Sequence, residues 1–206
     1  MQYELIIVGA LETNCYLAYC PETMACAVID PGAEPEKIFP EITRLKLKPA
    51  LILNTHGHFD HTGANRDVKE RFDVPLLIHA KDGPMLGSFG ELELGFLTGA
   101  RDSPPADRFI EDSEEIAIGN SRLRVLHTPG HSPGSVSFLS DGFLFSGDTL
   151  FWGGVGRTDL PGGSWKELES SIRSKIMTLP EDLIVLPGHG PHTTVGQEKN
   201  LNPFIL

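Results

Sequence analysis

The chain has 206 residues, of which 40% are hydrophobic and 22% are charged, as expected for one globular domain spanning residues 1–206. Its formal net charge of −11 argues against a nucleic-acid partner, because non-specific binding to nucleic acid depends on clustered lysine and arginine. No apolar run approaches the roughly 18 residues that span a bilayer, and no secretory signal opens the sequence, so we expect a cytoplasmic protein with no membrane partner.

The first part of the chain is predicted to form strands and then alternating helices and strands. Three segments rich in β-branched or aromatic residues, bounded by turn residues, predict the strands Tyr3–Val8, Cys15–Cys20 and Ala25–Ile29. Apolar periodicity then predicts a helix from Pro35 to about Leu47, the strand Ala50–Leu53, the helix Thr62–Phe72 and the strand Leu76–His79. The three cysteines of this part are an odd number that does not indicate a disulfide framework, and we expect reduced thiols.

The second part opens with a glycine- and proline-rich stretch, residues 83–109, whose length in a compact domain indicates a functional loop or cap. Strands are predicted at Glu115–Ile118, Ser121–Leu126, Ser135–Leu139 and Gly142–Phe145, the last two joined by an Asp-Gly hairpin signal. A capping box opens a helix from Ser164 to about Thr178, and the strand Leu183–Leu186 follows. This order predicts an α/β fold in which two β-sheets pack face to face with helices outside, a four-layer αββα sandwich.

The most specific motif is a run of histidines and aspartate directly after the strand Ala50–Leu53. It reads His56-Gly-His58-Phe-Asp60-His61, and nothing in core packing calls for three imidazoles and a carboxylate within six residues. Imidazole nitrogens and carboxylate oxygens are ligands that zinc, iron and manganese accept. The run therefore predicts a metal site at the carboxyl end of a strand.

The same arrangement of a strand, a glycine or proline turn and a polar ligand recurs three times. His131, Asp148 and His189 each follow a predicted strand in this way. If these strand ends meet at one edge, they bring together seven candidate ligands: His56, His58, Asp60, His61, His131, Asp148 and His189. Seven ligands exceed the need of one tetrahedral ion, and they predict two ions that share a bridging carboxylate and leave room for water.

These motifs, in this order, resemble those of the metallo-β-lactamase superfamily over essentially the whole chain. The segment Gly153–Pro161 and the ending Asn202-Pro-Phe look like the short bacterial hydroxyacylglutathione hydrolase-like (glyoxalase II-like) proteins. The resemblance implies the αββα architecture and two divalent ions per chain, for which we expect zinc, with iron or manganese as alternatives. It assigns one ion to His56, His58 and His131, the other to Asp60, His61 and His189, and Asp148 to both.

The same resemblance implies a hydrolase that cleaves a small thioester such as S-lactoylglutathione by metal-bound hydroxide. Asp60 is expected to act in catalysis by orienting the nucleophile and receiving its proton. Arg157 matches a lysine that contacts glutathione in glyoxalase II, which makes it the candidate substrate-binding residue, with a structural pair to Asp159 as the alternative. Gly190 and Pro191 replace the Glu and Tyr that follow the last histidine ligand there, so the resemblance predicts the acyl chemistry but not the recognition of glutathione.

Other reactions on the same fold stay open. A persulfide dioxygenase would use one iron held by His56, His131 and Asp148, a set of two histidines and one carboxylate that leaves positions for oxygen. The sequence around His189 resembles the hydrolases better than the dioxygenases. Another small ester or lactone hydrolase is a further alternative, whereas the β-lactamases that place cysteine at the position of Asp148 are disfavoured. The sequence gives no indication of the oligomeric state.

Overall fold

The computed structural model describes residues 1–87 and 102–206. The first sheet consists of β1 (Gln2–Val8), β2 (Thr13–Tyr19), β3 (Ala25–Ile29), β4 (Lys48–Leu53), β5 (Leu76–His79) and β6 (Arg108–Ile110), which are hydrogen-bonded in that order. The connections between these strands contain the helices α1 (Pro35–Arg44), α2 (Phe59–Thr62) and α3 (Asn65–Phe72) and a 3₁₀ turn at Gly83–Met85.

The second sheet consists of β7 (Glu115–Ile118), β8 (Ser121–His127), β9 (Val136–Ser140), β10 (Phe143–Gly147), β13 (Ile184–Pro187) and β14 (Thr193–Thr194). Its strand order is β14-β13-β10-β9-β8-β7. A two-stranded ribbon of β11 (Leu150–Phe151) and β12 (Gly154–Val155) follows β10. The helix α4 (Trp165–Ser171) continues into a π-helical stretch, Ile172–Ile176, and α5 (Val195–Leu201) lies near the C-terminus.

Alternating burial along the strands separates the core into layers. Along β2, Tyr16 and Ala18 belong to the apolar cluster between the two sheets, whereas Leu17 belongs to a cluster on the opposite face. That outer cluster includes residues of α1 and α3, and a third cluster joins α4 and α5 to the second sheet. The two inner sheet faces and the two outer helical layers confirm the predicted αββα sandwich.

Parallel pairing directs the carboxyl ends of several strands to one edge of the sandwich. In the first sheet, β3, β4 and β5 are parallel neighbours. In the second sheet, β10 pairs with β13 in parallel. The chain leaves each of these strands at the same edge of its sheet, and the predicted ligands follow immediately after β4, β10 and β13.

One predicted helix was wrong in its extent. The stretch Thr62–Phe72 is two helices in the structure, because α2 ends at Thr62 and α3 begins at Asn65. Gly63, between them, has a low helix propensity. At the start of α3, the Asn65 side chain donates to Asn54 Oδ1 at 2.8 Å, a tertiary contact that local periodicity does not show.

The remaining differences are smaller. The α1 helix ends at Arg44 rather than near Leu47, and the helix predicted to reach Thr178 is α-helical only to Ser171. The Ser164 cap of the predicted capping box is confirmed, since Ser164 Oγ accepts from the Glu167 N–H, whereas the Ser164 N–H donates to the Gly130 carbonyl instead of the Glu167 side chain. The sequence did not predict β6, β11, β12, β14 and α5.

Two sequence expectations concern loops and membranes. Most of the stretch 83–109, predicted to be a functional loop or cap, lies outside the described residues, and that prediction stays open. Among residues 1–87 and 102–206, no helix has the length and apolarity needed to cross a bilayer.

Candidate metal centre

The seven predicted side chains lie together at the edge where the strands end. They form two groups of three, with Asp148 beside both. The first cluster is His56, His58 and His131, and the second cluster is Asp60, His61 and His189. Within each cluster, one ligand atom per residue lies within 4.8 Å of the others.

The first cluster brings together three ring nitrogens from loops that follow strands of the two different sheets. Nε2 of His131 lies 3.2 Å from Nε2 of His56 and 2.9 Å from Nδ1 of His58. Tetrahedral zinc with bonds of 2.0–2.1 Å separates its nitrogen ligands by about 3.3 Å. The two separations are close to the edge of a tetrahedral coordination sphere, the His58–His131 one being somewhat shorter.

The hydrogen-bond partners of His131 and His56 leave a lone pair on the Nε2 atom of each ring, and these two atoms face each other. His131 Nδ1 donates to the carbonyl of Arg157 at 2.8 Å, which leaves a lone pair on its Nε2. Thr55 donates its hydroxyl to Asp30, so the same oxygen accepts from His56 Nδ1 at 3.0 Å, and His56 Nε2 also carries a lone pair. Two lone pairs 3.2 Å apart repel unless a positive charge lies between them.

A proton is poorly suited to be that positive charge. Burial, followed by the neighbouring histidines, lowers the pKa of His56 well below its ordinary value. The same causes lower the pKa of His58 to about 4. Both imidazoles are therefore neutral near pH 7, which is the form that binds a metal ion.

The second cluster combines imidazole with carboxylate. Nε2 of His61 lies 3.2 Å from Nε2 of His189, and Asp60 Oδ2 lies 3.2 Å from the latter and 3.6 Å from the former. His189 Nδ1 donates to the Leu11 carbonyl at 3.0 Å, which directs its Nε2 toward the cluster. This mixed nitrogen and oxygen set is one that zinc, iron and manganese all accept.

Asp148 lies between the two clusters. Its Oδ1 is 3.4 Å from His61 Nε2, and its Oδ2 is 3.6 Å from His131 Nε2 and 3.7 Å from His189 Nε2. Within the described residues, Oδ1 is the one buried side-chain oxygen or nitrogen without a hydrogen-bond partner. A buried carboxylate oxygen left unpaired is costly, and a cation shared between the clusters would satisfy it.

The charge balance of the site also calls for cations. Burial opposes ionisation of Asp60 and Asp148, but the surrounding imidazoles outweigh it and hold the pKa of both carboxyls below the ordinary value. Burial likewise disfavours a charged His61, yet Asp60, Asp148 and Asp30 together raise the pKa of that imidazole. The carboxylates thus place negative charge where a metal pair would sit.

Sequence reasoning missed Asp30, which supports the site. Its carboxylate accepts the Thr55 N–H at 2.8 Å and the Thr55 hydroxyl at 2.6 Å, and it accepts from His61 Nδ1 at 3.0 Å. Asp30 also lies within ligand distance of His56 and His61, but its oxygens are already engaged, which suits an orienting role. The signal was available, since Asp30 follows the end of β3 as the other site residues follow their strands.

Arg157 enters the site through its backbone. Its carbonyl oxygen accepts from His131, while its guanidinium makes a bidentate pair with Asp159 at 2.7 and 2.8 Å. The Arg157 side chain is 61% exposed. The structure thus contains the Asp159 pair that the sequence left as an alternative, and a substrate contact by the guanidinium stays a prediction.

Comparisons with known sequences place the chain in one family. A family model for the metallo-beta-lactamase superfamily matches residues 8–189. The probable metallo-hydrolase YqgX of Bacillus subtilis is 43% identical, over 100% of this chain and 98% of its own length. The hydroxyacylglutathione hydrolase GloC of Haemophilus influenzae is 40% identical, again over 100% of this chain and 98% of its own.

Solved structures match over the same length. The BLEG-1 B3 metallo-beta-lactamase superposes with a TM-score of 0.90 at 40% identity, and the alignment covers 99% of both chains. TTHA1623, solved in a di-iron-bound form, gives a TM-score of 0.89 at 39% identity over 98% of this chain and 99% of its own. Together with the two clusters of histidine and aspartate, the di-iron neighbour supports a site for two metal ions and leaves the metal's identity open.

Proposed function

Because this chain belongs to the metallo-β-lactamase superfamily, we propose that it is a binuclear metal-dependent hydrolase that cleaves small thioesters such as S-lactoylglutathione. The observation that carries the proposal is the pair of ligand clusters joined by the unpaired Asp148 carboxylate. The similarity to hydroxyacylglutathione hydrolase GloC along the full chain supports a thioester as the substrate class.

The proposal assigns the ions as the clusters suggest. His56, His58 and His131 hold the first ion, Asp60, His61 and His189 hold the second, and Asp148 bridges them. Zinc is proposed because the nitrogen spacing of the first cluster fits a small tetrahedral ion. Two bound ions would supply hydroxide near neutral pH and stabilise the charge that develops on the acyl oxygen.

Asp60 is the residue proposed to handle the proton. Its carboxylate is 16% exposed, so it borders the open side of the site rather than the core. Its lowered pKa keeps it ionised at neutral pH, so it can accept a hydrogen bond from a water molecule and orient it. Receipt of the proton is proposed from its position beside the second cluster. Asp148 is less suited to this role, because its two oxygens face both clusters and are proposed to bridge the ions.

Substrate is proposed to approach from the side of the second cluster. His189 is 27% exposed, and the Phe151 ring lies 6.3 Å from the His189 ring. Leu11, whose carbonyl holds His189, is 46% exposed and adds apolar surface at the same opening. A small acyl group would lie against this apolar rim, while Arg157 is proposed to contact the more distant part of the substrate.

A paired assay on one preparation tests the reaction class. The protein is loaded with zinc or with iron, and two rates are measured: thiol release from S-lactoylglutathione and oxygen uptake with glutathione persulfide. The proposal predicts thiol release with either metal and no oxygen uptake. Oxygen uptake by the iron form without thiol release from either form would assign the dioxygenase reaction instead.

A further inference from the structure

Asp82 is a buried carboxylate outside the seven proposed ligands. It lies three residues beyond His79, at the start of the 3₁₀ turn Gly83–Met85, and its side chain is fully buried. Its Oδ2 accepts the Gly57 N–H at 3.0 Å and the Ser132 hydroxyl at 2.6 Å. Its Oδ1 accepts the Gly134 N–H at 2.6 Å.

The partners of Asp82 all lie in the loops that carry the first cluster. Gly57 separates His56 from His58 in the loop after β4 of the first sheet. Ser132 and Gly134 follow His131 in the loop after β8 of the second sheet. One carboxylate therefore joins two loops from different sheets, and these loops supply all three nitrogens of the first cluster.

The packing around these loops leaves little freedom. A Cβ added at Gly57 would lie 2.7 Å from Met85 Cβ, and one added at Gly134 would lie 2.5 Å from Asp82 Oδ1. The backbone at both glycines thus approaches the segment around Asp82 more closely than a side chain permits. Ser135 Oγ accepts the Ser132 N–H at 3.1 Å and holds the loop after His131 in shape.

The second cluster lacks this support. Asp30 accepts from His61 Nδ1 and, through the Thr55 hydroxyl, also reaches His56, so it serves both clusters. Within the described part of the chain, no contact joins Asp82 to a residue of the second cluster. We propose that Asp82 is a positioning residue that sets the spacing of His56, His58 and His131 and so determines the affinity of the first ion. The inference rests on the two-ion assignment but not on the substrate.

Asp82→Asn is the informative variant. An amide nitrogen at either oxygen position places a donor against a backbone N–H, so one of the Gly57 and Gly134 contacts is lost while the volume is kept. Loss of a supporting contact around a metal ligand lowers metal affinity by about 10- to 100-fold. The measurement is competition for zinc with a chromophoric chelator, together with the number of ions bound per chain.

Combining Asp82→Asn with a variant that breaks one cluster shows which ion loses affinity. In His189→Ala the second cluster is broken, and Asp82→Asn should lower the affinity for the remaining zinc by about 10-fold or more. In His131→Ala the first cluster is broken, and Asp82→Asn should leave the affinity for the remaining zinc within about 2-fold. Equal losses in both backgrounds, or no loss in either, would overturn the positioning role.

Glu198→Gln is the matched control. Glu198 is also a buried carboxylate that accepts a backbone N–H, from Gly153 at 2.8 Å, and a hydroxyl, from Thr193 at 2.5 Å. It contacts neither loop of the first cluster, so Glu198→Gln should leave the zinc affinity of the His189→Ala background unchanged. A loss as large as that of Asp82→Asn would mean that any buried carboxylate has this effect, and the inference would fail.

A milder variant covers the case in which Asp82→Asn does not fold. Ser132→Ala removes the hydroxyl that donates to Asp82 and that also lies 2.7 Å from Ser135 Oγ, while it leaves both backbone contacts of Asp82 in place. It should lower zinc affinity in the His189→Ala background in the same direction by a smaller factor. An unchanged affinity there would contradict the inference. If wild-type protein binds fewer than two ions, it is instead the two-ion assignment that fails, and the two failures are distinguishable.

Discussion

The two clusters differ in how far they open to solvent. In the first, His56 and His131 are almost completely buried and His58 is partly exposed, and the rings come from loops of both sheets. In the second, the His189 and Asp60 side chains are 27% and 16% exposed, and His61 alone is fully buried. The difference in exposure predicts that an ion held by the second cluster would exchange more readily than one held by the first, and it places Asp60, the residue proposed to handle the proton, on the more accessible side.

The carboxylate shared by both clusters gives the largest expected effect. Asp148→Ala should remove the shared ligand, weaken both ions and lower kcat/KM by about 1,000-fold or more, since charge stabilisation at the reacting centre is lost. Activity and bound metal are measured together. Asp141→Ala, at the exposed turn between β9 and β10, is the control and should change neither quantity. If the Asp148→Ala protein keeps both ions, Asp148 does not bridge them.

Removing one ligand from each cluster tests whether the difference in exposure gives a difference in the rate of metal loss. His189→Ala should leave one tightly held ion, whereas His131→Ala should leave one ion that exchanges readily, because its cluster is the more exposed. The rate of zinc loss to excess chelator distinguishes the two. Equal rates of loss from the two variants would show that burial does not separate the ions.

The two clusters should also respond to pH in opposite directions in metal-free protein. The pKa of His58 is lowered to about 4, chiefly by burial and then by neighbouring histidines. The unfolded state then takes up the proton first, so stability is lost as pH falls from about 6.5 to about 4. Burial opposes protonation of His189, but Asp60 and Asp148 outweigh it and raise the pKa of this imidazole. Protonated His189 therefore contributes to the free energy of unfolding. This contribution is fully present below about pH 6.5 and is lost as pH rises through the raised pKa of the folded protein.

Urea unfolding of metal-free variants across this pH range checks both signs. His58→Asn should reduce the loss of unfolding free energy on the acid side, and His189→Asn should reduce the loss on the alkaline side. If both variants change the same limb of the pH profile, the electrostatic contrast between the clusters is wrong.

Arg157 should give the smallest effect. Arg157→Ala is expected to raise KM by about 3- to 10-fold, equivalent to roughly 0.7–1.4 kcal/mol, with kcat and metal content little changed. Asp159→Ala is the matched control, because it breaks the same exposed ion pair, which contributes little to stability by itself. If both variants change KM equally, the pair is structural and the guanidinium does not contact substrate.

Much of the site could be predicted from sequence because its residues follow strands. Parallel strands direct their carboxyl ends to one edge, so a polar residue directly after each strand predicts a shared site, and this rule reached all seven clustered residues. Applied to Asp30 after β3, it would also have found the support for His61. Asp82 also follows a parallel strand, three residues after the end of β5, but its role could not be predicted because its partners, the Gly57 and Gly134 N–H groups and the Ser132 hydroxyl, are distant from it in sequence.

The differences between predicted and observed secondary structure have three separate origins: an overlooked signal, the absence of a local signal, and a helix break with a tertiary contact. The Thr194-Val-Gly-Gln197 stretch is a readable capping box for α5, and Thr194 Oγ1 does accept the Gln197 N–H. The three-residue strand β6 had no local signal, since its pairing with β5 is what makes it a strand. The break between α2 and α3 coincides with Gly63 and with the tertiary contact of Asn65 with Asn54.

The most direct test of the central claim is the number of metal ions per chain in protein purified without added metal. Two clusters bridged by Asp148 predict two ions per chain, falling to one in His189→Ala. One tightly bound ion in wild-type protein, with His61 and His189 replaceable at no cost in metal content or activity, would contradict the binuclear centre.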